Sequence, residues 1–296
     1  MKKALAAAGL ALVLFAAAAY FMISPPKLLS VLDWAAGGGR GTERVASGVP
    51  FGTHGQRLDV WAPAGPAEKG AKRPVLIWWH GGGWVKGDRD AYAFAGRAFA
   101  SRGFVVVIPD YRKVPAVRFP AFLQDGAEAV RWTRDRVAQF GGDPDRIAFA
   151  GHSAGAHTAV MLALDRRWLE AVGVEPGLVK AAIGLSGPYD FYPFDKKRSI
   201  DAMSYWPRPL ETQPIHFARA DAPPLMLVTS TADTQVRPKN ANNLAAKLES
   251  LGAPVVLKNH IGLSHEDVVM ALSKPFRGKA PVLDDSVAFL AASEGR

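Results

Sequence analysis

The apolar positions of this chain fall into short all-apolar runs separated by stretches with helical spacing. Pro74–Trp79 and Phe104–Pro109 are almost wholly apolar, as are Ile147–Ala150, Val179–Leu185 and Pro224–Thr229. Runs of this length bounded by Gly, Pro or polar clusters predict strands buried on both faces. Pro254–Lys258 predicts one more strand, and Arg57–Ala62 alternates in the manner of an edge strand. Between the runs, helices are predicted over Asp90–Arg102, which Gly103 closes, and over Phe122–Phe140. Further helices are predicted after Ser153, over Lys239–Leu251 before Gly252, and near Glu266–Leu272 and Leu283–Ala292. Strands alternating with helices predict an α/β fold, a mostly parallel central sheet with helices on both faces. In such sheets ligands lie beyond the carboxyl ends of the strands.

Three further regions stand apart. Ala4–Ile23 is uncharged and almost entirely apolar after the basic start Met1-Lys2-Lys3. It predicts either an uncleaved membrane anchor or a signal peptide cleaved near Ala16–Ala19. Tyr20-Phe21-Met22-Ile23 extend the run past that point and favour the anchor. The preceding basic residues place the bulk of the protein on the non-cytoplasmic side, the periplasm in a bacterium. Residues 24–48, with Pro25-Pro26 and the run Gly37-Gly38-Gly39-Arg40-Gly41, predict a flexible tether, so that one domain is expected over 49–296. Residues 186–223, rich in Pro, Tyr, Phe and Trp, predict a small lid inserted over the rim of the sheet.

Composition narrows the chemistry. The chain of 296 residues has 49% hydrophobic and 21% charged content, enough for one large core. It has no cysteine, which excludes disulfides, thiolate nucleophiles and cysteine metal sites. The net charge of +9 is dispersed rather than gathered in a patch with interleaved aromatics, which argues against a nucleic-acid partner. No H-E-x-x-H motif is present, and the spacing of His152 and His157 does not suit one helical face, which argues against a catalytic metal.

The chemistry-bearing stretch is Gly151-His152-Ser153-Ala154-Gly155, placed where a strand turns sharply into a helix. There a G-x-S-x-G pattern exposes a serine as a nucleophile; alone it is also an ordinary glycine-rich turn. A serine hydroxyl needs a base, and the base needs an orienting acid. His265, in a loop about to become a helix after the last strand, is the candidate base, with His260 nearer the strand as the rival. Asp233, just beyond the strand Leu225–Val228, is the candidate acid, with a turn or N-cap residue before the helix as the lesser reading; Asp267 is the less suitable neighbour of the base. His80 is expected to hold its loop and His157 to pack below the serine. Gly81-Gly82-Gly83 follow a buried strand and offer unhindered backbone N–H groups, so Gly82, Gly83 and Ala154 are the candidate oxyanion donors.

These residues together resemble an α/β-hydrolase of the hormone-sensitive-lipase-like carboxylesterase group. His80-Gly81-Gly82-Gly83-Trp84, the serine turn, and Asp233 and His265 in that order carry the resemblance. Asp110-Tyr111-Arg112, Phe119-Pro120-Ala121 and Gly141–Ile147 extend it over about Phe51–Leu290. It implies a serine carboxylesterase-type hydrolase of small-molecule esters that needs no cofactor. Lys113–Arg118 has no acidic residue, and no long N-terminal cap is present. Both departures fit the compact BD-FAE-like or kynurenine-formamidase-like branches, and leave an amidase or formamidase using the same triad as an alternative. A non-catalytic binding module on the same fold is a further alternative, against which the retention of all three triad residues argues.

Overall fold

The structure, a computed structural model, describes residues 24–65 and 71–293. The expected anchor or signal segment, 1–23, lies outside them. In chain order the elements are α1 (Pro25–Ala35), β1 (Thr42–Phe51), β2 (Gln56–Pro63), β3 (Arg73–Trp79), α2 (Ala93–Ala100), β4 (Val105–Pro109), α3 (Ala121–Arg136), β5 (Gly142–His152) and α4 (Ala154–Leu164). They continue with α5 (Arg167–Glu170), β6 (Val179–Leu185), α6 (Lys197–Met203), β7 (Leu225–Ser230), α7 (Lys239–Ser250), β8 (Val255–His260), α8 (His265–Met270) and α9 (Val282–Ser293). The strands form one eight-stranded sheet in the order β1-β2-β4-β3-β5-β6-β7-β8. β1, β2 and β4 pair antiparallel, and every pairing from β4 to β8 through β3 is parallel.

The all-apolar runs are explained by a sheet covered on both faces. Successive side chains of a strand point to opposite sides. Val75, Ile77 and Trp79 of β3 therefore join Phe149 of β5 under α3, α4 and α7. Leu76 and Trp78 join Ala148 and Ala150 on the opposite face, under α2, α8 and α9. Register aligns Trp79 with Gly151 and His152 with Leu185, which brings the ends of β3, β5 and β6 to one rim. The helix expected over 122–140 ends its α-helical part at Arg136, and a 3-10 turn carries it to Gly141, where φ is 78°. The expected edge strand, β2, is instead second in the sheet, because β1 covers it. Residues 186–223 contain no strand; they hold α6 and two 3-10 turns.

Residues 24–48 are not a tether. Pro25–Ala35 is a helix and Thr42 onward is an edge strand. α1 is fastened by polar contacts that hydrophobic spacing does not register. Ser30 Oγ donates to the Ala91 carbonyl at 2.9 Å and accepts the Phe94 N–H at 3.1 Å. Arg97 Nε donates to Asp33 Oδ2 at 2.7 Å, and its Nη2 to the Ser30 carbonyl at 2.6 Å. The other Asp33 oxygen accepts the Lys274 N–H at 2.8 Å. The glycine run is the turn that brings β1 back: a Cβ at Gly38 would lie 2.3 Å from the Asp33 carboxylate. Among the described residues no helix is long and apolar enough to cross a membrane.

Asp33 and Arg97 are both buried, so removing one charge strands the other. Asp33→Asn should lower unfolding free energy by about 3 kcal/mol in urea titration. An unchanged midpoint would show that α1 is not part of the cooperative domain.

Candidate active site

Ser153 sits between β5 and α4 with φ 55° and ψ −119°, a conformation that costs a non-glycine residue of order 1–3 kcal/mol. The flanking glycines make that turn possible. A Cβ at Gly151 would stand 2.4 Å from the Gly155 carbonyl, and one at Gly155 would stand 2.0 Å from the Trp79 carbonyl oxygen. The turn is tied down by the Ser153 N–H, which donates to the Leu185 carbonyl at 2.8 Å.

His265 meets Ser153 from across the rim. Its Nε2 lies 2.9 Å from Ser153 Oγ, and its Nδ1 lies 2.8 Å from Asp233 Oδ2. With Nδ1–H donating to the carboxylate, Nε2 is free to accept the serine hydroxyl proton. The other oxygen of Asp233, Oδ1, accepts the N–H groups of Gln235 at 3.0 Å and Val236 at 2.8 Å. Burial opposes ionisation of Asp233, but the His265 hydrogen bond and charge, with the Val236 N–H, outweigh it and hold its pKa below the ordinary carboxylate value. His265 is the first residue of α8. Ser264 caps that helix by accepting the Asp267 N–H at 3.1 Å, while Asp267 Oδ2 accepts the Ser264 N–H at 3.0 Å. This reciprocal box occupies Asp267, the rival acid. His260 remains on β8, opposite Ser230, away from the serine.

Gly83 and Ala154 line one cavity of about 530 Å³ together with Ser153 and His265. Ala154 opens α4, so its N–H has no intrahelical acceptor. The loop before it turns through positive φ at Gly82 (131°), Gly83 (63°) and Trp84 (61°). Gly82, unlike Gly83, does not line the cavity; its carbonyl closes the turn by accepting the N–H groups of Val85 and Lys86 at 3.3 and 3.2 Å. His80 holds the loop as expected. It stacks on Tyr111 at 4.3 Å between ring centroids, and the Tyr111 hydroxyl donates to the His80 carbonyl at 3.0 Å.

Two contacts had no signal in the sequence. His152, which fills the variable position of the turn, has Nε2 3.2 Å from the His265 carbonyl and Nδ1 3.0 Å from the Tyr92 hydroxyl. A carbonyl only accepts, so Nε2 carries the proton and Nδ1 accepts from Tyr92. Tyr92, His152 and the backbone of His265 thus form one buried brace. Below the serine, His157 donates from Nε2 to the Thr212 carbonyl at 2.8 Å and ties α4 to the inserted segment. That segment is also pinned by Gln213 Oε1, which accepts the Phe191 and Tyr192 N–H groups at 2.7 and 3.1 Å.

The tightest group of potential metal ligands among the described residues is His54, Asp125 and Glu128. Its carboxylates already serve other donors. Asp125 receives Arg112 Nη2 and Gln56 Nε2 at 2.7 Å each, and Glu128 receives the Thr53 N–H at 3.3 Å.

The BD-FAE family model matches residues 58–248. The chain is similar to esterase LipQ of Mycobacterium tuberculosis, 30% identical over 275 residues that cover 84% of this chain and 63% of LipQ. It is also similar to the isoprenylcysteine α-carbonyl methylesterase ICME of Arabidopsis thaliana, 26% identical over 277 residues, 86% of this chain and 64% of ICME. The chain therefore spans less than two thirds of the length of these curated relatives. Among solved structures it is similar to the thermophilic carboxylesterase EstE1 from a metagenomic library, with TM-score 0.72, 23% identity and coverage of 92% and 98% of the two chains. It is similar as well to butyrate-bound esterase Est2 of Thermogutta terrifontis, with TM-score 0.67, 23% identity and coverage of 80% and 89%. These likenesses show the α/β-hydrolase fold.

If His152 fixes His265 through its carbonyl, His152→Phe should lower kcat toward a short ester by about 100-fold with KM nearly unchanged, since small misplacements of a base have that effect. A fall confined to KM would contradict the brace.

Burial also holds His80 and His157 neutral, lowering each pKa from 6.5 to about 4, and lowers His152 to about 3 with help from the His265 charge. The unfolded chain binds these protons below pH 6.5 and the folded chain does not. Stability is therefore fully present above about 6.5 and lost on acidification towards about 4. Urea unfolding at pH about 5 should show a loss of roughly 2 kcal/mol per buried histidine relative to neutral pH, and His157→Gln should flatten the dependence. An equal slope in that variant would remove His157 from the account.

Proposed function

This chain belongs to the BD-FAE family, and on that premise we propose that it is a serine ester hydrolase working through an acyl-enzyme on Ser153. The observation that carries the proposal is the continuous relay Ser153 Oγ, His265 Nε2, His265 Nδ1 and Asp233 Oδ2, with contacts of 2.9 and 2.8 Å, opening into the cavity. In this reading Ser153 Oγ attacks the acyl carbon as its proton passes to His265 Nε2. Asp233 stabilises the imidazolium and holds its tautomer. The N–H groups of Gly83, Ala154 and Gly82 meet the oxyanion. His265 then gives its proton to the departing alkoxide, and a water activated by the same imidazole releases the acid.

We further assign the enzyme to small or short-acyl esters. Trp84 and Phe191 stack at 6.0 Å between centroids, both against the edge of His157, and with Pro188 they make a short apolar wall beside the serine. A cavity of about 530 Å³ suits a small ester better than a long-chain lipid. The names of LipQ and ICME, an esterase and a methylesterase, and the butyrate bound to Est2 are in keeping with this assignment.

Ser153→Ala should lower kcat for 4-nitrophenyl acetate by about 10⁶-fold and abolish labelling by a fluorophosphonate probe. Activity in the variant equal to the parent would end the Ser153 assignment. In the parent, kcat/KM should fall from butyrate to palmitate esters, and a short ester should outpace N-formylkynurenine. Faster turnover of the latter would favour the formamidase alternative.

A further inference from the structure

The cavity above Ser153 carries a charge asymmetry that ester hydrolysis does not itself require. Lys196, Lys197, Arg198, Arg237 and Lys239 line it, against one carboxylate, Asp195. Two of these cations have partners: Lys197 Nζ donates to Asp201 Oδ2 at 2.8 Å, and Arg237 lies 3.7 Å from Asp195. Lys196, Arg198 and Lys239 have no ion-pair partner among the described residues.

Unpaired surface cations are ordinary, but Arg198 is seated in an unusual place. A Cβ at Gly83 would stand 2.5 Å from Arg198 Cδ, so the aliphatic stem of the arginine lies on the loop residue beside Ala154 and Ser153. Glycine at 83 accepts φ of +63° without strain and leaves room for that stem. Lys239 approaches from a different element, the first residue of α7, just beyond the Asp233 turn. Cations from the inserted segment and from α7 thus line the cavity that holds the serine. A cleft lined by one sign of charge concentrates ligands of the opposite sign. A guanidinium also offers a planar fork matched to a carboxylate.

We propose that this cavity selects esters bearing a second, free carboxylate, such as monoesters of dicarboxylic acids. The carboxylate is held by Arg198 with Lys196 and Lys239 while Ser153 meets the ester carbonyl. The inference rests on the esterase reading of the same site and adds the charge of its substrate.

The test compares mono-4-nitrophenyl succinate with 4-nitrophenyl butyrate on the full chain. The two acyl groups have the same number of carbons, and only the first carries a charge. The quantity read is the ratio of their kcat/KM values, in which any loss common to both esters cancels. The triple variant Lys196→Gln/Arg198→Gln/Lys239→Gln should lower that ratio about 10-fold, chiefly through KM for the charged ester. Arg198→Gln alone should lower it about 3-fold, and serves if the triple variant does not fold. Raising ionic strength from about 0.02 M to about 0.5 M should lower the ratio in the parent. The variant Lys27→Gln/Lys72→Gln/Lys247→Gln removes as many cations outside the cavity and should leave it unchanged. A ratio unmoved by the cavity variants, or moved equally by the control, overturns the inference. Ser153-dependent cleavage of the butyrate ester without charge preference would overturn it alone, whereas absence of any Ser153-dependent cleavage would overturn the esterase reading.

Discussion

The imidazole of His265 must touch two partners at once, and most of the structure around the rim serves that requirement. It contacts Ser153 Oγ at 2.9 Å and Asp233 Oδ2 at 2.8 Å, although the three residues come from widely separated parts of the chain. A planar ring with nitrogens on opposite sides tolerates little displacement of either partner. The parallel sheet provides the fixed frame, because register sets the ends of β5 and β7 relative to each other through β6. The loop carrying His265 is then sewn to the end of β7: Leu263 N–H donates to Ser230 Oγ at 2.9 Å and Gly262 N–H to Thr231 Oγ1 at 3.1 Å.

The same requirement accounts for the buried polar groups beneath the rim. A buried polar atom is tolerated when hydrogen-bonded. Here such bonds run from Tyr92 through His152 to the backbone of His265, and from Tyr111 to the backbone of His80. Neutral His152 serves because one ring nitrogen donates and the other accepts, so it joins two elements without a charge in the core. Strain is concentrated at Ser153 and Trp84, the non-glycine residues with positive φ beside the cavity. Close packing around the serine turn, down to contacts that exclude a single Cβ at Gly151 and Gly155, keeps that strain from relaxing.

The inserted segment lines the cavity and also buries Tyr189, Ala202 and Met203 in the core against the sheet. His157, Gln213 and Asn240 hold it by hydrogen bonds to backbone, the last accepting the Tyr189 and Asp190 N–H groups at 3.0 and 2.9 Å. Its Phe191 lines the cavity beside the serine, as do its basic residues Lys196, Lys197 and Arg198. The sheet thus positions Ser153, Asp233 and His265, while this segment supplies much of the cavity wall above them.

Much was legible in the sequence, because local rules carried it. All-apolar runs identified the buried strands, glycine spacing identified the serine turn, and positions just beyond strand ends singled out Asp233 and His265 from several candidates. What tertiary structure alone decided were contacts between residues distant in sequence and polar in character. Ser30 and Asp33 fasten α1 to α2, so a stretch that reads as a tether is part of the domain. Asp267 is excluded as the acid by capping its own helix. Tyr92 finds His152, and Arg198 settles on Gly83. Hydrophobic periodicity records which face of an element meets the core. It holds no information on which buried donor meets which acceptor, since that pairing exists only once the sheet has set the elements side by side.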